Sequence, residues 1–133
     1  MTSSSNKKPL YLKSFGTCID EFIKLVEDEF PNDVDVKYAK NGISAIKKSN
    51  PRMLVECWLK YVYIPNKDKI HNNDLSFIID GDHGILDDFD GGAKVKDALF
   101  RLKEPISKLN KDMVTKLATY ILNMSKLSVL YFS

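Results

Sequence analysis

The sequence predicts an all-α protein: a compact single-domain bundle of five to six helices with one long acidic loop. Three observations predict it. Apolar residues recur at three- and four-residue steps through most of the chain, the spacing of one helix face. Helix-start signals stand where those patterns begin, above all Asn50-Pro51 and Asn110. The one short run that could be a strand, DLSFIID at 74–80, would have no strand to pair with, so a helical turn is expected there.

Each element follows in order. Residues 1–10, MTSSSNKKPL, are polar and are read as a mobile arm ahead of a single helical domain spanning 11–133. From Ser14 to Phe30, the residues Phe15, Ile19, Phe22, Ile23, Val26 and Phe30 form one face, and Pro31 ends the helix. Asn32 or Asp33 can cap a second helix running to Ser49 with Val36, Ala39, Ile43 and Ile46 inward. Gly42 lies inside that pattern, where it implies a close helix approach or a kink. The helix starting at Asn50-Pro51, RMLVECWLKYVYI, is apolar on most of its circumference and is therefore placed at the centre, ending at Pro65. Its Trp58, Tyr61 and Tyr63 could stack bases, but at helical spacing they are read as core. NKDKIHNND holds a short helix or turn. Val95, Ala98, Leu99, Leu102 and Ile106 mark a helix interrupted near Pro105. Asn110 caps the last helix, with Val114, Leu117, Ala118, Ile121, Met124 and Leu127 or Ser128 inward. Its tail SVLYFS is apolar to the end and must dock on the body or on a partner; Leu130 and Tyr131 are expected to close the bundle.

A chain of 133 residues, 44% hydrophobic and 29% charged, is large enough to bury a core without staples. Cys18 and Cys57 fall at inward positions of predicted helices and are read as buried thiols of a reducing compartment, not as a disulfide. The first residues lack the apolar region of a signal peptide, and the longest apolar runs are four residues, far short of a membrane span. The expected setting is intracellular, or inside a particle assembled in a cell, with no membrane partner.

The net charge of +2 conceals alternating blocks: +3 over 1–19, −6 over 20–35, +6 over 36–72, −6 over 73–92 and +5 over 93–133. Such blocks can neutralise one another within a monomer, or present faces of opposite sign to different partners. The second acidic block, DLSFIIDGDHGILDDFDGG, has six Asp, four Gly and no Lys or Arg. Long loops in small domains are commonly binding loops. Asp80, Asp82, His83, Asp87, Asp88 and Asp90 are therefore the candidate partner-binding residues.

The chemistry available to these residues is narrow. Aspartates suit Ca²⁺ or Mg²⁺, yet a calcium loop starting at Asp80 meets Gly84, Ile85 and Gly91 at its fifth, sixth and twelfth positions, and one starting at Asp88 ends on Leu99. No metal is expected. The histidines, His71 and His83, have no zinc spacing and no accompanying nucleophile elbow, phosphate loop or HExxH, so no catalytic residue and no cofactor are assigned. Lysines at 37, 40, 47 and 48, and at 103, 108, 111 and 116, could touch phosphates without sequence preference. With only Arg52 and Arg101 present, base reading is disfavoured.

Four features give the chain a resemblance over residues 30 to 131. They are FPND at Phe30 to Asp33, NPR at Asn50 to Arg52 with its aromatic helix, ND-x-x-FII at Asn73 to Ile79, and TYILNMSKLS at 119–128. Together they resemble a family of small helical proteins of giant nucleocytoplasmic large DNA viruses, to which no activity is assigned. The resemblance implies a virion or virus-factory component and transfers no catalytic residue. The expected function is non-enzymatic protein–protein contact, with other viral proteins or by self-association. The alternative is a nonspecific nucleic-acid-associated factor.

Overall fold

In a computed structural model the protein is described over residues 4–79 and 92–133. Among the described residues every regular element is helical. Helix α1 spans Ser4–Glu29, α2 Val34–Ser49 and α3 Pro51–Cys57, which runs on as a π-helical segment at Trp58–Tyr63 and a 3₁₀ turn at Ile64–Asn66. Then come α4 Lys67–His71, α5 Ser76–Ile79, α6 Gly92–Ser107 and α7 Lys111–Phe132. Helix α1 packs mainly on α7 and α2 on α6, while the α3–π helix lies between the pairs and touches α1, α2, α6 and α7.

The predicted apolar stripes are the core. Phe15, Ile19, Phe22, Ile23 and Val26 of α1, Val36, Ala39, Ile43 and Ile46 of α2, and Leu117, Ala118, Ile121 and Met124 of α7 are all buried. Caps hold the starts: Asp33, Asn50 and Asn110 accept the backbone N–H of Val36, Met53 and Met113 at 3.1, 3.1 and 2.9 Å. Helix α4 closes with the backbone N–H groups of Asn73 and Asp74 donating to the carbonyls of Ile70 and Lys69, an ending that needs a left-handed residue. Asn73 supplies it at φ 58°. Asp74 then accepts the N–H of Ser76 at 2.9 Å to open α5, which holds its carboxyl below the usual value.

Several expectations are corrected. Residues 4–10 are not a separate arm but the first turns of α1. Pro9 lies near the start of the helix and removes only one backbone bond, while Lys8 sits over the Tyr131 ring at 5.6 Å and Leu12 packs on the core. The central helix does not stop at Pro65. The N–H of Ile64 donates to the Leu59 carbonyl five residues back, a widened turn that relieves the clash a proline imposes on the preceding α turn. Asn66 then donates its amide to the Val62 carbonyl at 2.8 Å. Nor does Pro105 interrupt α6, which continues to Ser107. Tyr61 is only half-buried, and Leu130 is 45% exposed, so Tyr131 and Phe132 close the end of the bundle without it. A Cβ on Gly42 would meet nothing within 4 Å, which removes the close-approach reading.

Trp58 is core, 3% exposed, and meets Phe15 edge-on with centroids 6.1 Å apart. Its indole N–H donates to Ser125 Oγ at 3.0 Å. The Ser125 hydroxyl donates to the Ile121 carbonyl at 2.8 Å, and Ser128 donates to the Ser125 carbonyl at 2.7 Å. Sequence spacing had not placed Ser125 inward.

Ser125→Ala leaves the indole N–H buried without its acceptor and is expected to cost about 1–3 kcal/mol, against about 3–5 kcal/mol for Trp58→Ala, measured by urea unfolding. Gly42→Ala should act in the opposite sense and raise stability by up to about 1 kcal/mol in the same assay.

Candidate interaction surfaces

Asp80, Asp82, His83, Asp87, Asp88 and Asp90, the residues singled out from sequence, lie outside the described residues. The described chain before them ends at Ile79. Ile79 lines a surface groove of about 520 Å³ together with Asp35, Asp97, Phe100, Arg101, Glu104 and neighbours on α6.

Arg101 organises this groove. Its Nε donates to Asp97 at 2.8 Å, one helical turn earlier, and its Nη1 to Asp35 on α2 at 2.9 Å. The guanidinium also lies over the Tyr38 ring at 4.6 Å. The two carboxylates hold it charged and fix the rotamer of a side chain that would otherwise sample many. Beside it Phe100 is 66% exposed and Tyr38 57% exposed, with the Lys103 ammonium 6.0 Å from the Phe100 ring. Sequence reasoning missed the cluster. The signal was present, because Phe100 and Tyr38 fall off the buried stripes of α6 and α2, and an aromatic residue on a polar face has no core role.

The basic and acidic blocks are partly resolved within the monomer. Lys40 donates to Glu27 at 3.1 Å and Lys47 to Asp20, pairs set two turns apart on each helix, as antiparallel α1 and α2 require. Lys108 pairs with Glu104 at 3.2 Å. Each such exposed pair stabilises little, roughly 0–1 kcal/mol, but the pairs decide which lysines face outward unneutralised.

Reactive groups are sparse among the described residues. The Tyr63 hydroxyl and His71 Nε2 lie 2.8 Å apart on the exposed surface, with Lys67 5.8 Å from the tyrosine ring. Among the described residues no three His, Cys, Asp or Glu side chains are placed to hold a metal ion. No described helix is long and apolar enough to cross a membrane. Comparison with protein-family models, curated protein sequences and solved structures found no match.

Both cysteines are free and buried. Burial, and secondly the charge of Glu21, push the Cys18 thiol up to about 11; burial and then Glu56 push Cys57 up to about 12. The thiol of Cys18 also donates to the Tyr120 carbonyl at 3.4 Å. Neither is a thiolate near neutrality.

The thiols should ionise near 9.0 in the unfolded chain and about two to three units higher in the native one. The native state therefore holds more protons above pH 9, and the thiols' contribution is complete below that value and lost as pH rises through about 11–12. Urea midpoints are expected to fall above pH 9 and to fall less in Cys18→Ala. An aromatic disulfide reagent at pH 8 should label neither thiol until denaturant is added.

Proposed function

We propose that the protein works without catalysis, through protein–protein contact, as a small structural or accessory component of a large DNA virus. The observation that carries the reading is the α2–α6 face, where exposed Phe100 and Tyr38 flank an Arg101 held rigid by Asp35 and Asp97. Aromatic residues and arginine dominate the energetic centres of protein interfaces, and an anchor already fixed in place loses little entropy on binding. The viral assignment rests on the sequence resemblance, and its setting would be the host cytoplasm or virus factory, with packaging in the particle.

Nucleic-acid association through lysine faces is the competing reading. It is weakened because Lys40, Lys47 and Lys108 are engaged by Glu27, Asp20 and Glu104. Detecting the protein by mass spectrometry in purified particles supports the structural role; its absence there removes it.

A photoreactive phenylalanine analogue at position 100 should give protein adducts in infected cells, and the same group at exposed Lys24 should not. Adducts to nucleic acid alone, or none above the Lys24 control, would overturn the reading. Phe100→Ala should weaken capture of that partner by about 2 kcal/mol, roughly thirty-fold in Kd, with stability changed by less than about 0.5 kcal/mol.

A further inference from the structure

The antiparallel packing of α1 on α2 and α7 gathers cations from separate parts of the sequence at one pole of the bundle. Lys8 and Lys13 come from the first turns of α1, Lys47 and Lys48 from the end of α2, Arg52 from the start of α3 and Lys126 from α7. Contacts fix their common location: Lys8 lies over Tyr131, Arg52 lies 5.8 Å from the Phe132 ring, and Lys47 reaches within 3.4 Å of a Cβ placed on Gly16. Asp20 neutralises Lys47. Between α1 and α7 runs a groove of about 560 Å³ whose cations are Lys13 and Lys126, with Glu21 its one carboxylate. Leu10, Cys18 and Leu127 give its walls apolar surface between Ser14, Thr17 and Asn123. Leu10 is 58% exposed there, Leu127 faces it from α7, and Leu130, one turn beyond, is 45% exposed.

We propose that this groove binds an acidic polypeptide segment that carries aliphatic side chains between its carboxylates. The proposal rests on the protein–protein reading above but concerns a different surface from the Phe100 face. Charge complementarity supplies the carboxylates, and desolvation of Leu10 beside Leu127 needs aliphatic partners. A nucleic-acid backbone would satisfy the lysines and leave the leucines wet. Phosphate contact alone would also favour arginine, and only Arg52 stands at this pole.

The test is fluorescence anisotropy on the full chain with three probes of equal charge: a peptide alternating Asp with Leu, oligoglutamate, and single-stranded DNA. The Asp-Leu peptide should bind most tightly, and its affinity should fall with added salt. Lys13→Glu with Lys126→Glu should weaken it by about tenfold or more. Leu10→Ser should weaken it several-fold while leaving oligoglutamate unchanged, and both variants should keep the native unfolding midpoint. Equal binding of all three probes, preference for DNA, or indifference to the leucine change would overturn the proposal. Loss of adducts at position 100 with peptide binding intact would refute the Phe100 face alone.

Discussion

The hydrogen bond from the Trp58 indole to Ser125 is made where water cannot replace it, since Ser125 and Ser128 are 0% exposed. A neutral buried bond contributes only about 1 kcal/mol net, but leaving one partner unpaired costs more, so slipping α7 along the central helix is penalised. That constraint fixes the register of the two helices that the remaining elements touch. Phe15 meets the same indole from α1, and Leu54 and Val62 lie about one turn away on the same buried side. The π-helical widening follows from the same placement: Trp58 and Val62 stay inward while the chain moves clear of Pro65.

The fold also converts a sequence of alternating charge blocks into a spatial arrangement. Acidic α1 residues meet basic α2 residues, which removes much of the contrast along the bundle's flank. Two surfaces remain distinct. One is the aromatic face around Arg101, where fixed carboxylates hold a guanidinium against Tyr38. The other is the pole where the first turns of α1, the end of α2, the start of α3 and the end of α7 converge. Both are rigid helical platforms bearing exposed apolar residues, and neither brings together a nucleophile, a base and an orienting group.

Much of the fold was legible because helical periodicity depends on neighbours three and four residues away. The stripes of α1, α2 and α7 and the caps Asp33, Asn50 and Asn110 are such features. Prolines misled for a tertiary reason. Pro65 and Pro105 each punctuate a local pattern, yet packing of the flanking residues carries the helix past them at the cost of a few backbone bonds. The candidate surfaces were less legible. Phe100 and Tyr38 could be noticed as aromatics off the core stripe, but their meeting with Arg101 depends on how α6 lies on α2.

The sequence by itself therefore determined the all-α class, the capped starts of α2, α3 and α7, the buried faces and the burial of both thiols, because each follows from local periodicity and side-chain chemistry. The tertiary structure decided which charges cancel and which accumulate, why Ser125 is inside, and where the exposed Tyr38 ring meets Arg101. Those outcomes depend on helix-to-helix register between residues as far apart as Trp58 and Ser125 or Asp35 and Arg101. Local spacing carries no information about such register. It is set when the apolar stripes are packed together and buried polar groups must find partners.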